Sequence, residues 1–428
     1  MPNRRKYQHT AARLHKMSYA GWMKPDAPSA SRVTAGWPNR GWPGKWMSAN
    51  WRARRGRAPT VGGMTRTGPS APARVAEPGE GITAEELQLA ARNHGMPAEA
   101  LRYELTPVGL HYLLIHYDIP DLDRSRWRLR IGGAVRRPLE LALDDLRRRP
   151  RVTTTVTLEC AGNGRARLEP RPISQPWLVD AVGTAAWTGT PLAPLLAEAG
   201  VAPGAVEVAF TGADHGIERG VEQDYARALP LAQAQHPDVL LAYEMNGMPL
   251  PPQHGWPLRL VVPGWYGMAQ VKWLTSVSVL DAPFTGFQNA VAYRLKVGAD
   301  EPGEPVTRIM PRALMIPPGY PDFMSRTRFV AAGEHLVHGR AWSGWAPVAR
   351  VEVSADGGAS WQDAVLGPAP DRYAWHSWRY GWRAEPGEWE LLVRATDEAG
   401  NVQPTEPPWN RQGMANNLVQ RVPVVVTP

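Results

Sequence analysis

Cys160 is the single cysteine of a 428-residue chain, and it ends a β-patterned run, Val152-Thr-Thr-Thr-Val-Thr-Leu-Glu-Cys160. It opens a tight polar loop, Ala161-Gly162-Asn163-Gly164-Arg165. A lone thiol has no internal disulfide partner, so its chemistry is metal ligation, nucleophilic attack or none. The glycines and the asparagine tolerate left-handed backbone angles, which lets the chain reverse closely around a bound object. Thiolate is a soft donor that binds deprotonated, and a nearby cation such as Arg165 favours that state. The pattern predicts a soft metal ligand beside an anion site; the plain alternative is a small buried hydrophobe without chemistry.

A second group of chemistry-bearing residues lies downstream. Asp214 sits in Gly212-Ala-Asp-His-Gly216, and His254, Arg259, Gln270, Val271 and Lys272 fall within a stretch from Leu241 to Trp273 that is rich in proline and glycine. Cations and imidazoles on loops stiffened by proline and opened by glycine can hold an anionic, polar group. Singly, each of these residues is more often a salt bridge or a surface charge. Their joint occurrence in this order carries the inference.

The loop Thr157-Leu-Glu-Cys160-Ala-Gly-Asn-Gly-Arg165 closely resembles the cysteine loop of the sulfite oxidase family, and the Leu241–Trp273 stretch resembles that family's pterin-binding segment. The resemblance runs from about Thr106 to the C-terminus. It implies an α+β fold, a sulfite-oxidase-type molybdopterin-binding domain followed by an immunoglobulin-like antiparallel β-sandwich dimerisation domain. It also implies a molybdenum–molybdopterin cofactor, with Cys160 as the metal ligand. Tyr112, His116, Asp214, His254, Arg259, Gln270, Val271 and Lys272 would contact the cofactor, and Arg165, Tyr225 and Trp177 would form the catalytic pocket with Cys160.

The substrate side departs from the family pattern. An Arg-Asn-His triplet is expected at Leu114-Ile115-His116, where only the histidine is present, and Gln412 stands where a pocket arginine is usual, beside Arg411. Arg165, Tyr225, Arg411 and Gln412 are therefore the substrate candidates. A literal Arg92-Asn93-His94 occurs upstream, but it falls in a predicted helix without the flanking Thr-Pro frame and is read as coincidence.

The expected activity is transfer of an oxygen atom to a small oxyanion or oxo substrate, sulfite to sulfate, with an external electron acceptor such as a cytochrome. No His-Pro-Gly-Gly or Cys-X-X-Cys-His segment marks a haem, and the glycine loops lack the context of a Rossmann nucleotide site, so no haem, flavin or NAD is expected. Three alternatives stay open: the same cofactor acting on a sulfoxide or N-oxide, a cofactor-free hydrolase with Cys160 as nucleophile and a histidine base, and a non-catalytic binding module.

The elements that must position these residues follow from periodicity. Residues 1–80, with Gly-Trp dipeptides at Gly21, Gly36 and Gly41, show neither helical nor strand pattern and predict a disordered Arg/Gly/Pro/Trp-rich extension. Met64 follows its basic stretch, so this part is either an extension from an upstream start or a tryptophan-rich interaction tail. Thr83-Ala-Glu-Glu86 is a capping box that opens a helix stopping by Gly95 and Pro97. Residues 81–285 mix β-rich runs (Leu110 to His116, Trp127 to Ile131, Val152 to Cys160, Val206 to Phe210, Leu258 to Val262, Val271 to Leu280) with short helices (Leu141 to Arg148, Leu192 to Glu198) and predict the catalytic domain. Residues 286–333 read as a Pro-rich connection and 334–428, with alternating strands between turn clusters, as the sandwich.

Composition excludes several classes. The formal charge of +8 comes from 48 Lys and Arg against 40 Asp and Glu, and much of the excess lies in the N-terminal segment (Arg4, Arg5, Lys6, Arg52, Arg54, Arg55, Arg57). No zinc-finger, RNA-recognition or helix-turn-helix pattern accompanies it, so no nucleic-acid partner is expected. No apolar run is long enough to span a bilayer and no apolar h-region follows the first arginines, which predicts neither a membrane span nor a secretory signal and leaves a cytoplasmic location by default. A homodimer is expected from the tryptophans of the sandwich (Trp342, Trp345, Trp361, Trp375, Trp378, Trp382, Trp389) and from the family's habit.

Overall fold

The Thr83 capping box forms as its sequence demands: Thr83 Oγ1 accepts from the Glu86 amide (3.2 Å) and Glu86 Oε2 from the Thr83 amide (2.9 Å), starting the helix Ala84–Arg92. A computed structural model describes residues 74–406 and 408–428. The expected disordered extension lies outside the described residues up to residue 73. Residues 74–80, which that expectation included, are instead docked. Ala76 N–H donates to Arg171 O (2.8 Å), Ile173 N–H to Arg74 O (2.9 Å), and Arg74 pairs with Glu80.

Two sheets carry the first half. One runs Leu139–Leu141, Leu129–Gly133, Leu274–Leu280, Glu207–Glu218, Val221–Pro230, with the Leu129–Gly133 and Leu274–Leu280 pair parallel and the others antiparallel. The other pairs Val152–Glu159 with Val182–Pro191 in register from Val152↔Gly189 to Glu159↔Val182, then Leu240–Met245, which also takes Arg259–Val261. The Val152–Glu159 strand begins exposed and ends buried, so its C-terminal end delivers Glu159 and Cys160 into the core. The mixture of sheets with few short helices is the α+β architecture expected.

The segment Leu110 to His116, expected as a strand, is a single turn of 3-10 helix, Val108–Leu110, followed by an irregular loop with one bridge, Leu113 to His94. Its residues do not alternate in burial, since His111, Tyr112 and Ile115 are all covered, and its backbone groups are met by side chains rather than by a ladder.

The second half is a sandwich of a four-stranded and a six-stranded sheet around Ala313, Val330, Val337, Val351, Trp378, Leu391 and Val424. The expected Pro-rich connection, 286–333, contributes to it. Arg312–Met315 pairs with Gly333–Trp342, and Arg328–Ala331 runs parallel to Gln420–Thr427, so a proline-rich composition concealed two strands of the sandwich. Of the seven tryptophans, Trp342, Trp375, Trp378 and Trp382 are buried within the chain, and Trp345 is 49% exposed. Trp342 and Trp375 belong to the core of the first half, so much of the tryptophan excess is absorbed by the seam between the halves.

One carboxylate dominates that seam. Glu159, fully buried, accepts from Arg312 Nε (2.8 Å) and Asn163 Nδ2 (3.0 Å) through one oxygen and from Trp342 Nε1 (2.8 Å) through the other. Arg312, 1% exposed, also donates to Asn416 O. Removing one member of such a pair leaves an uncompensated buried charge, worth roughly 3–5 kcal/mol. Denaturant unfolding of Glu159→Ala is expected to show a loss of about that size, whereas Trp342→Phe, which deletes one hydrogen bond and keeps the aromatic volume, should lose about 1 kcal/mol. Equal losses would mean that packing, not the charge, holds the seam.

Candidate functional site

The chain leaves the Val152–Glu159 strand at Cys160 and turns immediately. Gly164 adopts φ 91°, a left-handed angle that a side chain would resist. A Cβ on Gly162 would lie 2.6 Å from Arg165 Nη2, so only glycine lets the guanidinium fold back over its own loop. Asn163 does not use a left-handed angle. Its amide instead ties the loop together, donating to Glu159 and accepting from the Ala181 amide (3.2 Å).

Cys160 is 8% exposed and lines a cavity of about 680 Å³, mouth included. The wall also carries His111, Tyr112, Leu114, His116, Asp214, Tyr225, His254, Arg259, Met268, Gln270, Lys272 and Tyr293. Among the sequence candidates, Cys160, Tyr112, His116, Asp214, Tyr225, His254, Arg259, Gln270 and Lys272 therefore share one enclosure although they are drawn from positions 112 to 272. Val271 is buried in the core, its carbonyl taken by the Leu260 amide. Arg165, Trp177, Arg411 and Gln412 are not in the cavity wall.

Arg259 is buried and Lys272 half-buried, and neither makes an ion pair with a carboxylate. Arg259 donates to His254 O (3.0 Å) and Gln270 O (3.3 Å) and lies over the Trp187 ring, 4.6 Å from its centre. Lys272 Nζ donates to Leu114 O (2.7 Å) and Gln253 O (3.2 Å) and lies over Trp273. Burial lowers Lys272 to about 7 and Arg259 to about 10, and it lowers His111 to about 4. Arg259 Nε is a buried donor with no acceptor, and the neutral His111, its Nδ1 proton on Tyr112 O, leaves Nε2 a buried acceptor with no donor. Asp214 is pushed up to about 6 by burial, against the pull of His116 and Lys272. Gln270 uses its whole side chain on Val262 and Trp265 backbone, so it holds the wall from behind.

Around the thiol, burial pushes Cys160 up, while Arg165, the Gly162 N–H and the Trp177 indole favour the thiolate. The Trp177 Nε1 has no other partner. Arg165 is itself buried, with Nε on Gln412 O (2.8 Å) and Nη1 on Gln175 O (3.3 Å). Gln412 donates to Val291 O (3.1 Å) and leaves Oε1 buried and unpaired. Arg411 is tethered through its amide to Lys296 O. Tyr225 donates its hydroxyl proton to Met268 O (2.8 Å).

Sequence reasoning passed over His111, Tyr293 and Glu159. His111 precedes Tyr112 in a run read as a strand, and only the fold brings it 5.5 Å, ring to ring, from His254. Tyr293 feels Cys160, Arg165 and Tyr225 together; nothing in its local sequence marks it.

Two family descriptions match the chain: an oxidoreductase molybdopterin binding domain over residues 116–288 and a Mo-co oxidoreductase dimerisation domain over residues 319–427. The chain is 36% identical over 352 residues to the mitochondrial sulfite oxidase of Homo sapiens, covering 76% of this chain and 62% of that protein, and so spans less than two thirds of that relative. It is 37% identical over 352 residues to the sulfite oxidase of Gallus gallus, covering 76% and 74%. NADH nitrate reductase 1 of Oryza sativa subsp. japonica is 31% identical over 351 residues, 75% of this chain and 38% of that one. Among solved structures, the sulfane dehydrogenase SoxCD from Paracoccus pantotrophus matches with a TM-score of 0.67 at 29% identity, covering 76% of this chain and 82% of that chain.

Lys272 makes the empty cavity pH-sensitive. Its folded value, about 7, lies below the ordinary 10.5, so between these the unfolded chain binds more protons and stability rises with pH. Cofactor-free protein is expected to gain stability from pH 7 to 9, and Lys272→Met should flatten that gain while stabilising the cofactor-free form at pH 7. Denaturant midpoints across that range check both; an unchanged slope in the variant would remove Lys272 as the source.

Proposed function

The chain belongs to the sulfite oxidase family of molybdopterin oxidoreductases, and from that premise we propose that it moves an oxygen atom between water and a small sulfur-centred substrate, oxidising sulfite to sulfate. The observation that carries the reading is the co-location of one buried thiol with the cations Arg259 and Lys272, neither in an ion pair, in a single cavity. The donor set fits a molybdenum–molybdopterin group. Among the described residues no three His, Cys, Asp or Glu side chains gather to hold a metal, so a metal at Cys160 needs its other donors to arrive with the group. The unpaired Arg259 Nε, with Lys272, suits its phosphate, His254 suits the pterin edge, and His111 Nε2 and Asp214 suit pterin donors.

When bound, the group supplies oxygen-atom transfer with a two-electron change. The protein's part is positioning and proton handling. Cys160 would hold the metal as thiolate, a form that Arg165 favours. Arg165 stands behind the cavity wall, where its charge, rather than direct contact, favours an anionic substrate. Tyr225 is committed to Met268 O, so the hydroxyl that reaches the substrate is that of Tyr293, with Tyr225 bracing it. Overall, sulfite and water give sulfate, two protons and two electrons, and the electrons pass to an external acceptor such as a cytochrome. The dimerisation domain supports a homodimer.

One observation favours a second reading, reduction of a sulfoxide or N-oxide. Leu114 is in the wall, Gln412 is neutral, and Arg165 gives two donors to carbonyls, so few cationic donors are left for an oxyanion.

Cys160→Ser is expected to abolish oxygen-atom transfer while keeping the fold and most of the pterin, by circular dichroism and pterin fluorescence; full activity would sink the ligand assignment. In sulfite kinetics the wild type should show a poor KM that improves by one decade or more in Gln412→Arg, since a charge-assisted contact to an oxyanion is worth on the order of a few kcal/mol. An unchanged KM there with a large loss in Arg411→Ala would move the role to Arg411. A panel including sulfoxides and N-oxides separates the two readings.

A further inference from the structure

The helix Ala84–Arg92 precedes both matched domains, and the triplet that follows from it, Arg92-Asn93-His94, was read from sequence as coincidence. The fold lays it against the irregular loop that builds one wall of the cavity. His94 and Leu113 exchange two backbone hydrogen bonds (2.8 and 3.2 Å), Arg92 Nη2 donates to Tyr117 O (2.7 Å), and Asn93 Oδ1 accepts from the Ile115 amide (2.7 Å).

Asn93 reaches in a second direction as well. Its Nδ2 donates to Leu89 O and to Gln175 Oε1, both at 3.0 Å, and both Asn93 and Gln175 are buried, 5% and 6% exposed. The carbonyl of Gln175 accepts from Arg165, the residue that favours the Cys160 thiolate. One asparagine thus joins two loops distant in sequence: one lined toward the cofactor cavity through Leu113, Leu114 and His116, the other carrying the cation beside the thiol.

We propose that Asn93 is a positioning residue for this site, its Oδ1 holding the cavity wall closed over the cofactor and its Nδ2 setting, through Gln175, the place of Arg165. The wall segment has only one bridge of its own, so without the Ile115 contact its backbone must find water, and the wall opens. Loss of the Gln175 contact leaves a buried amide oxygen unpaired, and the strand of chain that carries the Arg165 acceptor shifts to satisfy it. The two arms act on different quantities: retention of the bound group and substrate affinity.

The proposal rests on the molybdopterin reading for its kinetic arms, and the test separates the two. Holoprotein would be compared as wild type, Asn93→Ala, Asn93→Asp and Glu86→Gln. Asp keeps the acceptor for Ile115 and loses the donor to Gln175. Glu86→Gln weakens the same helix at its Arg171 pair (2.9 Å) without touching residues 113–117. Molybdenum retained over time on dilution, amide hydrogen exchange of residues 113–117, and kcat and KM would be read.

Asn93→Ala is expected to release molybdenum and exchange the 113–117 amides about fivefold to tenfold faster and to raise KM severalfold with kcat little changed, as loss of buried hydrogen bonds of ordinary strength would do. Asn93→Asp should restore retention and exchange but keep the raised KM. Glu86→Gln should match the wild type in all three. Wild-type exchange of 113–117 in Asn93→Ala, or equal acceleration in Glu86→Gln, overturns the proposal. Wild type that purifies without molybdenum overturns the cofactor reading alone, because the exchange arm still decides whether Asn93 holds the wall.

Discussion

The buried carboxylate of Glu159 is the constraint on which the site depends. It directly precedes Cys160, is cut off from water, and is answered by Arg312 and Trp342 from the sandwich and by Asn163 from the cysteine loop. A desolvated charge tolerates no vacancy among its partners, so the position of the thiol is set by the joining of the two halves as much as by the strand that bears it. Such a pair contributes little net stability over an apolar replacement. What it supplies is uniqueness: few other registers of sandwich on sheet would satisfy both oxygens.

The same economy of water governs the cavity. Arg259 and Lys272 are taken out of solvent with only backbone carbonyls and aromatic faces for company, and burial pulls both down from their ordinary range. The enclosure is costly when empty and is repaid by an anion, since a ligand that binds only the folded form stabilises it. Neutral imidazoles at His111 and His254 complete the lining without adding charge to be compensated. Arg165, beside the thiol, stays outside the wall and turns to the Gln412 and Gln175 carbonyls.

Local rules were legible wherever they acted alone. The capping box at Thr83 and Glu86, the left-handed glycine at Gly164, the helix at Leu192–Ala199 and the strands Val152–Glu159 and Leu274–Leu280 each follow from short-range chemistry. The run Leu110 to His116 misled because its apolar residues imitate strand alternation, while the fold uses them to line a cavity and meets their backbone with Asn93 and Lys272. The segment 286–333 misled in the other direction, its prolines masking the strands Arg312–Met315 and Arg328–Ala331. Tyr293 and His111 had no signal at all, and the triplet that holds Asn93 was set aside as coincidence, since each matters only through a neighbour far away in sequence.

The amino-acid sequence by itself determined the chemistry on offer: one soft ligand on a glycine loop, a procession of cations and imidazoles between prolines, and the missing arginines at Leu114 and Gln412. These are matters of residue type and order, and they do not change on folding. Which side chains meet, and which keep an unfilled hydrogen bond, only the tertiary structure decided. Tyr225 turned its hydroxyl to Met268 O, Gln270 turned to brace its own loop, Arg165 turned to Gln412 and Gln175, and a triplet at the end of the Ala84–Arg92 helix came to rest on the cavity wall. The physical reason is that a buried polar group must be paired, and its partner is chosen by distance in space, which spacing along the chain does not encode.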